Sequence, residues 1–517
     1  MAVGDGKTVT IVGAGLAGSL LACYLAKMGF AVTVYERRPD PRAAGYAGGR
    51  SINLALSARG LWGLQGVGLD QEILKHAIKM RGRMIHPQML PESGGELAFQ
   101  PYSHDPSEGI NSISRGGLNV ALLDAAERME NVKLVFSHRC TDIDPDRCVA
   151  FFEDESSEPA RSVSVPSDLI VGADGAFSPV RGRLQKVDRC EYSQTYLTHG
   201  YKELHIPALG GPGGLPASVG DAGRAPRAGV PPVPPSASAG RWNGYALDPN
   251  ALHIWPRGSA MMIALPNPDK SFTCTLFWPF EGAHSFANLH TPEQVLSFFR
   301  EHYPDAVPLM PTLVDDYLRN PTSSLVTVRC WPWVYASPGG KAVALAGDAA
   351  HAIVPFFGQG INAGFEDVRI MAECLERHAT RGENWMHAAL DEYQRLRKPN
   401  ADAIARMAVD NFVEMRDRVG SRWFLWRKKL EHLLHDLFPG TLVPRYNLVS
   451  FTIVPYSEAI RRGARIDRVL RWLLVCVVMM LVFAARAVLP AWLVLLAVVI
   501  AAGAMWDRWR TREDTSV

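Results

Sequence analysis

The stretch from Thr8 to Glu36 leaves few folds open to this chain. Thr8 to Val12 is an apolar, β-branched run, the pattern of a buried strand. Gly13-Ala14-Gly15-Leu16-Ala17-Gly18 follows at once, Ser19 to Met28 reads as a helix, and Ala31 to Tyr35 reads as a second strand closing on Glu36. Glycines at this spacing between a strand and a helix, with an acidic residue at the next strand end, mark a dinucleotide-binding βαβ unit. Gly13 permits the tight turn, Gly15 lets the backbone approach a pyrophosphate, and Gly18 lets helix and strand pack closely. Glu36 is placed to accept from a ribose 2′-hydroxyl. That argues against a bound 2′-phosphate and leaves FAD or NAD.

A second nucleotide signal lies far along the chain. Ala342 to Ala346 is a short apolar run ending in Gly347-Asp348, and the chain then passes through Pro355-Phe356-Phe357 to Gly358-Gln359-Gly360. A helix is expected from about Ile361. A Gly-Asp pair after a strand is by itself an ordinary turn. Beside a glycine-bearing helix start, however, Asp348 can accept from a ribose or ribitol hydroxyl, and the bare N–H groups of Gly360 to Asn362 can face phosphate. A third strand, Leu169 to Val171, runs into Gly172-Ala173-Asp174-Gly175, with Ser178 and Arg181 just beyond. Three such corners predict a single sheet that gathers them.

Between these corners, Gly49 to Ser57 reads as a polar, glycine-bearing turn and a short helix-like piece, and Arg83 opens a strand of a second region. Short alternating strands are expected near 197–206, 252–255, 261–265 and 272–280, a sheet that could wall a substrate cavity. Residues 208–240, rich in Pro, Gly, Ala and Ser, read as a disordered insertion. Helices are expected at 292–302, 364–378, 385–416 and 422–437. The expected partition is a discontinuous nucleotide-binding domain (1–80, 110–190, 325–380), a substrate domain (81–109, 191–324), a helical region (381–460) and a C-terminal anchor (466–510).

A formal charge of +2 on 517 residues gives no reason to expect a nucleic-acid partner. The eight cysteines are scattered without a Cys-x-x-Cys pair, so neither a zinc site nor any other metal is expected, and the compartment is read as reducing. Met1 to Lys7 lacks an apolar signal core. The tail differs. Leu473 to Ala485 and Ala487 to Met505 are apolar runs separated by Arg486, flanked by arginines and by Trp472, Trp492, Trp506 and Trp509. The second run, at ~19 residues of ~1.5 Å rise, just spans a hydrocarbon core of ~30 Å. The tail is therefore read as a membrane anchor, with one span through 487–505 or a shallow hairpin; a buried helical hairpin is the competing reading.

Taken together, GAGLAG, GADG and GDAAHAIVPFFGQGINAGFEDV resemble the single-component FAD-dependent aromatic hydroxylases of the p-hydroxybenzoate hydroxylase type. The words GRSINLALSARG, MRGRMIH, LHIWPR, MMIALPN, KSFTCTLF and FVEMR are most similar to the kynurenine-hydroxylating members of that family. The resemblance covers about 8 to 460, less the insertion. It implies an α/β fold, with a Rossmann-like FAD-binding domain interleaved with a β-sheet substrate domain. It also implies FAD contacts at Ala17, Tyr35, Glu36, Arg37, Arg38, Ala55, Arg115, Cys140, Asp174, Asp348, Ile361 and Asn362, besides Gly13, Gly15 and Gly18. Substrate contacts are implied at Arg83, Tyr102, Asn411 and Tyr446. The family's Tyr-Asn-Tyr reads here as Asp410-Asn411-Phe412.

The activity implied is an NADPH- and O2-dependent monooxygenase that hydroxylates L-kynurenine to 3-hydroxykynurenine in tryptophan catabolism, through a flavin C4a-hydroperoxide. No catalytic side chain is implied, because the flavin carries the chemistry. The anchor would hold the catalytic domain toward the cytosol, at the mitochondrial outer membrane in a eukaryote. Two other readings stay open: a flavin hydroxylase of another aromatic acid, and a non-catalytic FAD-bearing membrane scaffold.

Overall fold

In the computed structural model, which describes residues 3–43, 53–87, 97–103, 105, 107–187, 189–210, 242–379, 382–414, 430 and 442–486, the chain divides into two compact units. One holds 1–428 and 446–457, the other 429–445 and 458–517.

The organising layer of the first unit is a six-stranded sheet in the order Val334–Ser337, Lys341–Leu345, Leu169–Gly172, Thr8–Val12, Ala31–Tyr35, Val132–Val135. Thr8–Val12 pairs in parallel with both neighbours, and Lys341–Leu345 pairs in parallel beyond them. The registers Val12↔Gly172 and Gly172↔Leu345 bring the three glycine corners to one sheet end, side by side. Thr8–Val12 is followed in sequence by a neighbour on one side and joined much later by Leu169–Gly172 on the other. That reversal opens a crevice at the carboxyl ends of the strands, where α/β sheets take ligands. Leu169, Ile170, Val171, Ala342, Val343, Ala344 and Leu345 are buried, as strands covered on both faces require.

Two local findings differ from expectation. Asn53–Leu56 is a strand rather than a helix-like piece, because its neighbours Ile110–Ser114 and Ile78–Met80 offer a three-stranded antiparallel sheet. A second small sheet, His138–Asp144, Val149–Asp154 and Arg161–Pro166, was not expected at all.

The substrate-side sheet runs Ser323–Trp331, Glu191–Ile206, Phe272–Pro279, Ala260–Pro266, Ala251–Arg257, Gly82–Ile85, Ala98–Pro101. Its side chains alternate between faces. Leu204, Trp255, Met262, Cys274, Leu276 and Trp278 pack on the helices Pro292–His302 and Leu313–Arg319 through Val295, Phe299 and Tyr317. From the other face, Leu252, Ile263 and Leu265 gather with Met80, Tyr102 and Tyr446. A capping box, Thr291 with Gln294, starts the first of those helices.

In the second unit the described chain is mainly the helix that ends at Arg486, where Ile466, Val469 and Leu470 pack with Leu442 and Leu430. Trp472, Leu473, Val475, Val477, Met479, Met480 and Phe483 stand exposed on that helix. Among the described residues no helix is long and apolar enough to cross a membrane. The span expected at 487–505, the helix at 422–437 except for residue 430, and residues 211–240 of the insertion lie outside the described residues.

Candidate active site

The first corner is built as its glycines require. Gly13 has φ +103°, and a Cβ there would sit 2.6 Å from the Ala173 carbonyl oxygen; one on Gly18 would be 2.0 Å from the Gly13 carbonyl oxygen. A Cβ on Gly15 would meet nothing within 4 Å. Gly15 also caps the helix Leu16–Lys27, which has no side-chain cap and no acidic residue in its first turn, so its first N–H groups are left to a ligand or water. These glycines predict opposite failures. Gly15→Val should leave the thermal stability of flavin-free protein unchanged but abolish flavin retention, whereas Gly18→Val should destabilise the flavin-free protein itself. Equal melting losses in both variants would contradict an open cradle at Gly15.

Around this cradle, Glu36 accepts from the Ala14 N–H at 3.0 Å and from the Arg38 Nε at 2.7 Å. Burial raises its pKa, but the Arg38 bonds and the backbone N–H groups outweigh that and hold the carboxyl below its ordinary value. Tyr35 stacks on Phe152 at 4.0 Å, and Arg37 and Arg38 lie exposed at the rim. Ala17 lies beneath Gly347, whose added Cβ would come within 3.2 Å of it. Cys140 is buried. That burial, with Asp174 nearby, pushes its thiol up to about 12, so it is inert packing beside the cleft.

At the second corner, Asp174 Oδ2 accepts from the Val180 N–H at 3.3 Å, while its buried Oδ1 has no partner among the described residues. Burial raises its carboxyl to about 6. An orphaned buried acceptor beside an unfilled cradle is what a hydroxyl-bearing ligand would satisfy. Arg181 ties this corner to the third by donating to the Ala176 carbonyl at 2.6 Å and the Ala349 carbonyl at 2.7 Å.

At the third corner, the accessible Asp348 carboxyl is raised by the protein crowding it, with the Arg115 charge opposing that most strongly. Gly358 takes φ +65° and turns the chain into the helix Gly360–His378. Asn362 is fully buried: Oδ1 accepts from Ser57 and Gly60 N–H at 2.8 and 3.2 Å, and Nδ2 donates to the Ala55 and Gly358 carbonyls, both at 2.8 Å. Its side chain is thus spent on locking Ala55 to the turn. What remains for a cofactor is the first-turn backbone N–H set of Gly360, Ile361 and Asn362. The orphaned acceptor, the open Gly15 cradle and the free helix start all fit FAD.

Beneath the third corner lies a buried ionic network that the sequence reading missed. Asp367 accepts from the Gly347 N–H at 3.1 Å, contacts His351 Nε2 at 2.5 Å and accepts from Arg397 Nε at 2.6 Å. Arg397 also pairs with Glu366 at 2.8 Å, as does Arg59. The Arg59 guanidinium lies 3.9 Å from the Tyr456 ring, whose hydroxyl donates to Gln359 at 2.8 Å. His351 is therefore held in a structural pair.

Next to the Gly358 turn is an aromatic cluster. Arg83, on Gly82–Ile85, lies 4.8 Å from the Tyr446 ring centroid and 5.7 Å from that of Tyr102; the two tyrosines stack at 5.3 Å. Phe357 stacks on Tyr446 at 5.7 Å, and Phe356 on Phe412 at 4.1 Å. Asn411 donates to the Phe356 carbonyl at 2.7 Å, which fixes the wall. Arg83 Nε and the Tyr102 hydroxyl are buried without hydrogen-bond partners among the described residues. Burial pushes the Tyr102 phenol well above its ordinary value, so it is a neutral donor. Arg83, Tyr102 and Tyr446 thus meet one another next to Phe357, one residue before the Gly358 turn, while Asn411 is held to the adjacent Phe356.

A parallel sheet gathering three glycine corners, with a second sheet and an aromatic cluster beside them, is the arrangement expected of an FAD-dependent aromatic hydroxylase. The family model described as FAD binding domain matches residues 7–199 and 338–408. The fold is shared with 2-methyl-3-hydroxypyridine-5-carboxylic acid oxygenase (TM-score 0.57, 17% identity, 81% of this chain and 95% of that one). It is shared also with Pseudomonas aeruginosa PqsL in complex with 2-aminobenzoylacetate (TM-score 0.58, 20% identity, 80% and 97%). Among relatives, a kynurenine 3-monooxygenase of Myxococcus xanthus is 48% identical over 89% of each chain. Those of Dictyostelium discoideum and Sus scrofa are 46% and 41% identical, over 90% and 88% of this chain and 92% and 86% of theirs. The chain belongs to the kynurenine 3-monooxygenase family.

Proposed function

We propose that this chain hydroxylates L-kynurenine ortho to its ring amine, using NADPH and O2, with Arg83, Tyr102, Tyr446 and Asn411 forming the substrate site. The observation that carries this is the buried Arg83 Nε and Tyr102 hydroxyl, both without hydrogen-bond partners among the described residues, within an aromatic cluster beside the Gly358 turn. A guanidinium fork matches an amino-acid carboxylate, and Tyr102 and Tyr446 add hydroxyl donors. Phe356 and Phe357 line the aromatic side and keep water out.

FAD would lie along Gly13, Gly15, Ala17 and Gly18, reach Tyr35, Glu36, Arg37 and Arg38 at one end, and meet Ala55, Arg115, Cys140, Asp174, Asp348, Ile361 and Asn362 along its length. When bound, it supplies the passage of electrons from NADPH to O2 and the transfer of one oxygen atom. The side chains need only orient the ring and exclude water. The amine already enriches the ortho carbon, and His351 is committed to Asp367. In this reading 1–80, 110–190 and 325–380 hold the cofactor, 81–109 and 191–324 shape the substrate site, and 381–460 packs helices around them. A panel of aromatic acids scored for hydroxylated product, rather than for NADPH loss, tests the assignment. Product from L-kynurenine is expected, and product only from a different acid would reassign the substrate.

The tail is proposed as a membrane anchor over 466–510, facing the catalytic part to the cytosol and, in a eukaryotic cell, seated in the mitochondrial outer membrane. Supporting it are the exposed Trp472, Met479, Met480 and Phe483, the apolar run 487–505 and the flanking arginines. Truncation after Arg471 should move the protein from the membrane pellet to the supernatant with its flavin still bound. A truncated protein that stays in the pellet would argue against this anchor.

A further inference from the structure

Outside the flavin and substrate sites the first unit carries a polar cleft of about 290 Å³ between the start of Glu191–Ile206, the end of Ser323–Trp331 and the helix Trp385–Val413. It is lined by Arg329, Lys398, Arg406, Glu191, Asp402 and Tyr192. Lys398 and Asp402 pair at 2.5 Å, which leaves two arginines facing one carboxylate. Arg329 Nε is buried with no hydrogen-bond partner, and Arg406 makes no ion pair, among the described residues. Two unpaired guanidinium forks in one recess are a phosphate-binding arrangement.

The cleft also adjoins the flavin site. Its wall residue Cys330 donates to the Ala350 carbonyl at 3.2 Å, on the short helix Asp348–His351 that opens with the flavin-corner carboxylate. Tyr192 lies over the Arg181 guanidinium at 5.3 Å, and Arg181 donates to Ala349 on the same helix. Tyr192, exposed in the lining, offers a stacking face. The volume suits the phosphorylated end of a nucleotide rather than a whole dinucleotide.

We propose that this cleft docks a phosphate of NADPH, with Arg329 and Arg406 as its ligands, so that the coenzyme approaches the flavin from beside the Asp348 helix. This rests on the reading of the chain as an NADPH-consuming monooxygenase. The test uses the flavin-loaded full chain. Arg406→Gln, at an exposed position, and the double variant with Arg329→Gln are compared with wild type for flavin content, kynurenine affinity, KM for NADPH and NADH, and calorimetric binding of adenosine 2′,5′-bisphosphate. Each lost fork should raise the KM for NADPH roughly tenfold. An unchanged KM for NADH would assign the cleft to the 2′-phosphate, and a matching rise would assign it to the pyrophosphate. Arg406→Lys should recover part of the loss. An unchanged KM for NADPH in a double variant that keeps flavin and kynurenine affinity would overturn the proposal. If wild type oxidises no NADPH at all, the functional reading fails separately. The bisphosphate titration then decides the cleft: binding lost in the double variant supports it, and no binding to wild type rejects it.

Discussion

Arg83→Ala should abolish kynurenine-stimulated NADPH oxidation while the protein stays yellow. Arg83 stands on the substrate-side sheet and none of its contacts reach a glycine corner, so flavin retention has no reason to change. Its guanidinium lies against the Tyr102–Tyr446 stack, and Leu252, Ile263, Leu265 and Phe451 pack around the same tyrosines. A substrate carboxylate entering there would lose water and find Arg83 as its charge partner. Removing the partner of a desolvated charge costs roughly 2–5 kcal/mol, or about thirty- to several-thousand-fold in affinity. Arg83→Lys should recover only part of this, because an ammonium keeps the charge but loses the fork. Titration of kynurenine against the flavin spectrum reads the effect directly. Wild-type affinity in Arg83→Ala would place the carboxylate elsewhere.

Asp367→Asn should cost stability rather than substrate affinity. Asp367 is fully buried and serves Gly347, His351 and Arg397 at once. Burial alone would raise its carboxyl, but His351 and Arg397 together outweigh that and hold it below its ordinary value. Breaking a buried ionic set by removing one charge typically costs about 3–5 kcal/mol, here a melting drop on the order of 3–5 °C. Because the folded-state pKa is lowered, the contribution is fully present above the ordinary carboxylate range and is lost as pH falls through it. The gap between wild type and variant should therefore be wide at pH 7 and shrink toward pH 3. Flavin should also leave the variant more readily, since the same carboxylate orients Gly347, one residue before Asp348. A melting temperature unchanged at pH 7 would show that the network does not support the corner.

Much of the cofactor side was legible because its geometry restricts residue choice. A turn at φ +103° and a helix so close that a Cβ on Gly18 would lie 2.0 Å from the Gly13 carbonyl oxygen both demand glycine, and the sequence prints those glycines in order. The sharing of one sheet by three corners followed from apolar strands, each running into glycine. Arg83 and Tyr102 were legible only through the resemblance, since an arginine and a tyrosine nineteen positions on carry no period that joins them. The strand at Asn53–Leu56 was misread because its pairing partner lies more than fifty residues away, at Ile110–Ser114. The sheet 138–166 alternates polar and charged residues on strands exposed along one face, which a search for apolar runs passes over. The ionic network was invisible for another reason. Arg59, the Glu366–Asp367 pair and Arg397 lie far apart in sequence with nothing to pair them until the fold turns all four inward.

The central claim, that this pocket and this flavin cleft hydroxylate kynurenine together, is tested most directly by product mass. Purified protein supplied with FAD, NADPH, air and L-kynurenine should yield a compound heavier than kynurenine by one oxygen atom, with the hydroxyl beside the amine. Kynurenine recovered unchanged from flavin-loaded protein, with or without NADPH consumed, would contradict it.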